Sequence, residues 1–354
     1  MKEQALVYTF NLFNTPFAKT CHGLLRGSSK YEIVGIVDHK CCGKPVNHFV
    51  KNTNFQPEIF SSSKEALKQI KEPPSTFILG IALPGGGLPE EARNEIHFAI
   101  KSGLNIISGL HKLLSDDLEF SHWSKQYNVE LIDIRKPKSA EELTFWSGAI
   151  FDVGAPIISV LGIDCAVGKR TTCRLIKEAL ISEGVNAQMI YTGQTGWLQE
   201  KYGFILDSTL NDFVSGELEK AIIDCDRETT PDIIIVEGQS SLRNPAGPCG
   251  SELILSANAK GVILQHAPGR EHFLELKNEA GRIPDIRTEV SLIRNYGAEI
   301  LAITLNEEGL SKQAISILQK ELSDEMAIPV INPIVDGLDS ITEVIKNFII
   351  NQKL

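Results

Sequence analysis

Short apolar runs alternate with amphipathic stretches along this 354-residue chain, most clearly in its second half. Six runs there predict buried strands, at residues 156–162, 186–193, 231–238, 260–269, 299–309 and 328–337. The stretch 169–184 predicts a helix because its apolar residues fall on one face, namely Leu175, Ile176, Ala179 and Leu180. Residues 210–225 predict another helix. Strands that are apolar throughout and alternate with helices indicate a parallel sheet covered on both faces.

The first half repeats this alternation more weakly. It predicts strands at residues 4–10, 31–38, 75–87, 104–111 and 129–135, and helices at 17–27 and 90–103. The polar segment "RKPKSAEEL" (135–143) marks the change between the halves. We therefore expect two α/β domains, at residues 1–150 and 151–354.

The first domain shows the alternating strands and helices of a nucleotide-binding scaffold but lacks its glycine fingerprint. Asp38 ends the second strand, where a ribose-binding acid would lie. However, "NLFNTPFAKT" follows the first strand without G-x-G-x-x-G, and the glycines 85–87 follow the third strand instead. We expect a Rossmann-like scaffold used for packing, assembly or part of a substrate pocket, rather than a nicotinamide site.

Composition narrows the classes of partner. The chain has 35 Lys and Arg against 45 Asp and Glu, a net charge of −10, which argues against nucleic acid or an anionic membrane as partner. No apolar run reaches the roughly 18 residues of a spanning helix, and the start has no signal-peptide pattern. Seven cysteines without a C-x-x-C pair fit a reducing compartment, so we expect a cytoplasmic protein. The cluster of His39, Cys41, Cys42 and His48 reads as an exposed loop, and we expect no metal site there.

The segment "GIDCAVGKRTT" (162–172) nearly matches a phosphate-binding loop, G-x-x-x-x-G-K-[ST]. Five residues, not four, separate Gly162 from Gly168, and Arg170 stands where the magnesium-binding hydroxyl is usual. The segment joins a strand to a helix, where backbone N–H groups and the helix dipole favour an anion. We therefore predict cofactor binding by Gly162, Asp164, Cys165, Ala166, Val167, Gly168, Lys169, Arg170, Thr171 and Thr172, with Cys165 as a packing residue rather than an acyl carrier.

Two resemblances extend this prediction. "GIDCAVGK" resembles the ATP-binding loop of dethiobiotin synthetase-like enzymes, G-T-D-x-x-V-G-K, and Asn306 in "ITLNEEG" resembles their adenine-reading Asn, although a strand-end cap explains it equally well. Nearly the whole chain resembles a family long described as of unknown function and now associated with D-glutamate N-acetyltransferase activity. Five motifs carry this resemblance, namely "GIDCAVGKRTT", "YTGQTGW", "DFVSGELE", "VEGQSSLRNPAG" and "HAPGR". They follow a Rossmann-like first half that contains "AKTCHGLLR" and "VGIVD".

This family resemblance implies a fold and a reaction. The fold is a Rossmann-like N-terminal domain followed by a P-loop NTPase-like parallel-sheet domain. The reaction is acetyl transfer from acetyl-CoA to a small-molecule amino acid, D-glutamate or a close relative, in a homo-oligomer. The implied catalytic residues are Lys169 and a base, for which Glu237 at a strand tip and His266 are rivals and Asp164 and Asp212 are weaker candidates. The implied substrate contacts are Gln194, Gln239, Ser240, Arg243, Asn244 and Arg270, with Arg243 as a carboxylate clamp.

Arg170 favours this reaction over phosphoryl transfer. An ATP-consuming enzyme uses a loop hydroxyl to help hold Mg²⁺, whereas acetyl-CoA has phosphates to bind but no γ-phosphate to transfer. Lys169 and Arg170 together would bind those phosphates without a metal. Thr171 or Thr172 would restore the hydroxyl, so an ATP- and Mg²⁺-dependent carboxylate-activating ligase is one alternative. A nucleotide-binding regulatory protein without turnover is another.

Overall fold

The computed structural model describes residues 2–27, 29–51, 53, 55–83, 88–274, 276 and 278–352. The chain forms two compact units. The first contains Met1–Pro137 together with the later segment Gln194–Glu200, and the second contains Lys138–Gly193 and Lys201–Leu354.

The first unit is built on a six-stranded parallel sheet. Its strands are β1 (Glu3–Tyr8), β2 (Tyr31–Val37), β3 (Glu58–Phe60), β4 (Thr76–Leu79), β5 (Asn105–Ser108) and β6 (Leu131–Asp133). Their order is β3-β2-β1-β4-β5-β6, which is the Rossmann arrangement. The helices are α1 (Lys19–Arg26), α2 (Ser63–Gln69), α3 (Ala92–Lys101) and α4 (Leu118–Tyr127), with α6 (Gln194–Gln199) from the later segment. The Rossmann-like prediction is confirmed.

Asp38, considered above as a ribose-binding acid, has a structural role in this unit. Its buried carboxylate accepts hydrogen bonds from Thr9 Oγ1 (2.7 Å) and the backbone N–H of Phe13 (2.9 Å). It also accepts from the backbone N–H of Cys41 (3.0 Å). Asp38 therefore ties the loop after β1 to the turn after β2. The glycines 85–87 lie outside the described residues.

The second unit is built on a seven-stranded parallel sheet. Its strands are β7 (Ile157–Gly162), β8 (Ala187–Tyr191), β9 (Tyr202–Gly203), β10 (Ile233–Glu237), β11 (Gly261–His266), β12 (Glu299–Leu305) and β13 (Val330–Ile331). Its helices are α5 (Lys169–Ser182), α7 (Val214–Thr229), α8 (Ser251–Leu255), α9 (Ile286–Asn295), α10 (Lys312–Met326) and α11 (Asp339–Gln352). The order β13-β12-β11-β7-β10-β8-β9 places β7 between β10 and β11, so the ends of these three strands meet at one edge.

Both faces of this sheet are covered, as the apolar runs predict. On one face Ile158 and Val160 pack with Ile176 and Leu180 of α5 and with Ile345 of α11. On the other face the strands pack against α7, α8, α9 and α10. No helix within the described ranges has both the length and the apolar content needed to cross a bilayer.

The boundary between the units lies earlier than the predicted residue 150. Residues 138–150 join the second unit because two buried carboxylates of α7 bind their backbone. Glu217 accepts a hydrogen bond from the N–H of Thr144 (3.0 Å), and Glu219 accepts one from the N–H of Ile150 (3.1 Å). The polar composition of this segment suggested a linker, but its N–H groups anchor it to the helix.

Candidate functional site

The loop after β7 enters α5 through left-handed backbone. Ala166 has φ +54° and Gly168, the N-cap residue, has φ +116°. The N-cap residue of α5 is a glycine and provides no capping side chain, and the Thr172 N–H donates to Gly168 O (3.0 Å), so the N–H groups before Thr172 face the loop without a side-chain cap from the N-cap residue. Free N–H groups at the positive end of a helix dipole are a binding site for an anion such as phosphate.

Lys169 places a buried positive charge beside these N–H groups. The residue is 7% exposed, and its Nζ donates to the carbonyl oxygens of Asp164 (2.6 Å) and Ser240 (2.8 Å). A Cβ at Gly162 would lie 2.9 Å from its Cγ and Cδ, and one at Gly238 would lie 3.0 Å from its Cδ, so the two glycines make room for its stem. Burial lowers the pKa of the ammonium. Because both acceptors are uncharged, an anionic ligand would be the better partner for Nζ.

Asp164, which is predicted to bind cofactor, holds the loop together. Its fully buried carboxylate accepts hydrogen bonds from Arg270 Nη1 (2.9 Å) and the backbone N–H of Leu274 (2.8 Å). It also accepts from the N–H of Cys165 (2.6 Å) and from Asn244 Nδ2 (3.2 Å). Asp164 thus joins the phosphate loop to the loops after β10 and β11.

Arg270 and Asn306 support the loop from the side of β11 and β12. Arg270 Nη1 also donates to Cys165 O (2.7 Å), and its Nη2 and Nε donate to the carboxylate of Glu308 (2.7 and 3.2 Å). Asn306 Nδ2 donates to Val167 O (3.0 Å), and its Oδ1 accepts from the N–H of Glu308. All three guanidinium nitrogens of Arg270 therefore have partners. The structure gives both residues a supporting position, where the sequence suggested a substrate contact and an adenine contact.

The structure separates the two threonines that follow Arg170. Thr172 is buried, and its hydroxyl donates to Gln265 Oε1 (2.5 Å), which also accepts from Thr304 Oγ1 (2.7 Å). The Thr172 hydroxyl is thus used inside the unit. Thr171 is left as the loop hydroxyl that could replace the missing metal ligand.

Glu237 ends β10 beside the phosphate loop. Its buried carboxylate accepts from the backbone N–H of Thr192 (3.3 Å). Burial lowers the pKa of the Arg170 guanidinium, and the negative charge of Glu237 opposes that shift. Gln239 Nε2 donates to Thr192 O (3.0 Å), and Ser240 offers its carbonyl to Lys169 from a left-handed backbone, φ +40°. These predicted residues are brought together at the ends of β7, β8 and β10.

Three buried polar atoms in the described part of the chain have no hydrogen-bond partner: Ser241 Oγ, Arg243 Nη2 and His266 Nδ1. An unpartnered buried polar group costs about 1–3 kcal/mol, so such groups mark places where a ligand supplies the partner. Burial lowers the pKa of His266 to about 4, although Asp285 opposes the shift, and the imidazole is neutral at pH 7. Arg243 Nε donates to Glu289 Oε2 (2.5 Å).

Glu289 is absent from the predicted site. Its carboxylate is buried on α9, and the helical spacing of the apolar residues around it in the sequence indicates this position. It falls three residues after Ile286 and four before Ile293, on the buried face of the helix. A carboxylate at an apolar position requires a partner inside the fold, and Arg243 is that partner.

Gln194 is not grouped with the other predicted substrate residues. Within the first unit its Nε2 donates to Thr20 Oγ1 (2.6 Å) and Ile81 O (3.0 Å), and its Oε1 accepts from Arg135. Its amide anchors α6 in this structure, and its contact with substrate stays a prediction. Asp212 lies exposed in the turn before α7. Among the residues with described positions, no group of three or more His, Cys, Asp or Glu side chains is placed to hold a metal ion.

Family models match both units. The P-loop domain of DUF1611, a domain of unknown function, matches residues 144–342, and the Rossmann-like domain DUF1611_N matches residues 39–137. The chain belongs to the DUF1611 family. The predicted fold class, a Rossmann-like domain followed by a P-loop domain, is confirmed, and so is the family resemblance carried by the five motifs.

Named relatives and a solved structure agree with this membership. The chain is 32% identical to a D-glutamate N-acetyltransferase from Pseudoalteromonas sp over 75% of its length and 80% of the relative's. It is 26% identical to a D-glutamate N-acetyltransferase from Tritonibacter scottomollicae over 73% of its length and 77% of the relative's. The crystal structure of a DUF1611 family protein from Anabaena variabilis covers 98% of this chain and all of its own, with 24% identity and a TM-score of 0.88. That likeness shows a shared fold.

Proposed function

We propose that the protein transfers the acetyl group of acetyl-CoA to the amino group of D-glutamate or a closely related amino acid. The observation that carries the proposal is the set of groups around the phosphate loop. Lys169 faces uncharged carbonyls, Arg170 replaces the usual metal-binding hydroxyl, and the Thr172 hydroxyl is bonded to Gln265. The names of the two relatives supply the acetyl transfer and the amino acid.

These groups suit the phosphates of acetyl-CoA. The N–H groups at the start of α5, Lys169 and Arg170 would hold a diphosphate or the 3′-phosphate by charge and hydrogen bonds. When bound, acetyl-CoA supplies an acetyl group activated as a thioester. Because no phosphoryl group is transferred, the loop needs no hydroxyl to orient a metal between β- and γ-phosphates.

The amino-acid ammonium must lose a proton before its nitrogen attacks a thioester, so the site needs a base. We propose His266 for this role, because its buried Nδ1 has no hydrogen-bond partner within the described residues and could accept a proton from a bound amine. Glu237 is the alternative. Its buried carboxylate accepts a hydrogen bond from the backbone N–H of Thr192 (3.3 Å), so part of its accepting capacity is already used within the unit.

The test combines binding with turnover. The purified protein is titrated with CoA and 3′-dephospho-CoA in EDTA and with ATP–Mg²⁺, and acetyl transfer from acetyl-CoA is followed by thiol release and mass spectrometry. D-Glutamate, L-glutamate, D-aspartate and D-glutamine serve as acceptors. We expect CoA binding in EDTA and an N-acetylated product with D-glutamate. No transfer to any of the four acceptors, together with hydrolysis of ATP–Mg²⁺, would overturn the proposal.

A further inference from the structure

Arg243 uses one part of its guanidinium group to bind a protein carboxylate and leaves another part vacant. Its Nε donates to Glu289 Oε2 at 2.5 Å, whereas its buried Nη2 has no partner in the described structure. The side chain as a whole is 29% exposed although Nη2 itself is buried, so a ligand would approach the guanidinium from its exposed part. A guanidinium fixed at one edge and vacant at another is suited to a planar anion such as a carboxylate.

Glu289 fixes the direction of this guanidinium. Its side chain is 4% exposed on α9, one turn after Asp285, which caps that helix by accepting from the N–H of Arg287 (2.7 Å). Burial raises the pKa of the Glu289 carboxyl, and the charge of Arg243 opposes that rise. A buried carboxylate on a capped helix has little freedom, so Arg243 is held in one orientation before any ligand arrives.

Ser241 adds a second donor on the same loop. The residue is 2% exposed, and its Oγ has no partner among the residues that the structure places. Its carbonyl accepts from the N–H of Cys249 (2.9 Å) and it forms a bridge with Pro248, which closes the loop. Ser241 and Arg243, two residues apart, therefore each bring a buried, unsatisfied polar atom to this loop.

We propose that Arg243 and Ser241 form a carboxylate subsite for the amino-acid substrate and that Glu289 is its positioning residue. The identity of the amino acid rests on the proposed function, but the carboxylate chemistry does not. Both oxygens of a carboxylate can accept from these donors. A primary amide has only one accepting oxygen, and the guanidinium of Arg243 offers no acceptor to its NH2 group. The subsite therefore selects dicarboxylic amino acids over their amides.

Glutarate is the direct probe, because it has both carboxylates of glutamate and no amine to acetylate. Calorimetric titration compares the wild type with Arg243→Lys, Ser241→Ala and Glu289→Gln. The matched control is the exposed pair of Arg287 and Glu325, tested as Arg287→Lys and Glu325→Gln. We expect glutarate affinity to fall about tenfold in Arg243→Lys and Glu289→Gln, because loss of a buried charge-paired contact typically costs this much or more, and to stay within about twofold in the controls.

Glutaramate, in which one carboxylate is an amide, should bind the wild type about tenfold more weakly than glutarate. Equal affinity for the two probes, or unchanged glutarate affinity in folded Arg243→Lys, would overturn the subsite. If Glu289→Gln fails to fold, Arg243→Lys and the comparison of the two probes still decide. The same donors would also suit the 3′-phosphate of CoA. If Arg243→Lys abolishes the difference in affinity between CoA and 3′-dephospho-CoA, the site binds phosphate and the inference fails.

Turnover separates this inference from the proposed function. In Arg243→Lys and Glu289→Gln we expect the KM for D-glutamate to rise with little change in the KM for acetyl-CoA, and kcat to change less than KM. Acetyl transfer with an unchanged KM for D-glutamate in both variants would leave the proposed function standing and refute the subsite. Glutarate binding that depends on Arg243, without any acetyl transfer, would support the subsite and refute the proposed function.

Discussion

Replacing Lys169 with methionine removes the charge of the phosphate loop and keeps an unbranched apolar stem. The stem lies against Gly162 and Gly238, so packing at this point is retained. The ammonium and its hydrogen bonds to the carbonyls of Asp164 and Ser240 are lost.

Two effects of this change on stability oppose each other. Two carbonyls lose their donor, at about 1–3 kcal/mol for a group left buried and unpaired. A desolvated charge is also removed, which is favourable because burial lowers the pKa of Lys169. We therefore expect the free energy of unfolding to change by no more than about 2 kcal/mol. A hydrogen bond to a charged group contributes about 1.5–3 kcal/mol, which corresponds to roughly a 10- to 150-fold weaker Kd for CoA.

The assay is calorimetric titration of CoA against the wild type, Lys169→Met and Lys320→Met, with thermal unfolding of each protein. Lys320 lies exposed on α10, so its variant has the same change of composition without a predicted contact. We expect the control to bind CoA as the wild type does. A folded Lys169→Met protein that binds CoA with wild-type affinity would refute the assignment of this loop to phosphate.

Further predictions concern Arg170 and the candidate bases. Arg170→Ser restores the usual hydroxyl and should lower acetyl transfer while raising Mg²⁺-dependent ATP binding; a wild type that already hydrolyses ATP with an absolute need for Mg²⁺ contradicts this. The kcat of Glu237→Gln and of His266→Gln, measured across pH at saturating acetyl-CoA, should show which residue is the base. Loss of the true base lowers kcat roughly 10²- to 10⁴-fold. If neither variant loses activity, both assignments are wrong. The pKa of His266 is depressed from 6.5 to about 4, so its contribution to stability is complete above pH 6.5 and is lost as pH falls toward 4. The unfolding free energy of the wild type minus that of His266→Gln should therefore decrease by about 3 kcal/mol as pH falls over that range. A constant difference would show that the imidazole is not buried in its neutral form.

The sequence predicts most of the second sheet because strands buried on both faces must be apolar throughout. Residues 156–162, for example, become β7 with every residue of Ile157–Gly162 buried. The run 328–337 shows the limit of this reasoning. Only Val330–Ile331 pair as β13, because the Asn332 N–H donates to Asp336 Oδ2 (2.7 Å) and turns the chain. Its apolar residues Ile334 and Val335 are exposed.

Elements and roles that depend on distant contacts were not predictable from local pattern. The segment Gln194–Gln199 contains a glycine and little apolar periodicity, and Gln194 anchors it through bonds to Thr20 and Ile81. The sequence also predicted polar residues near the phosphate loop without separating those that support it from those left vacant. Arg270 and Arg243 look alike in their Gly- and Pro-rich loops, and only their partners show that Arg270 is fully bonded whereas Arg243 retains an open Nη2.

The most direct test of the account is a turnover experiment in EDTA with acetyl-CoA labelled in its acetyl group and D-glutamate as acceptor. We expect label to appear in N-acetylglutamate in a one-to-one ratio with released CoA, added Mg²⁺ not to raise the rate, and Lys169→Met to slow transfer at subsaturating acetyl-CoA. Absence of labelled product in EDTA, with product formed only when ATP and Mg²⁺ are supplied, would contradict it.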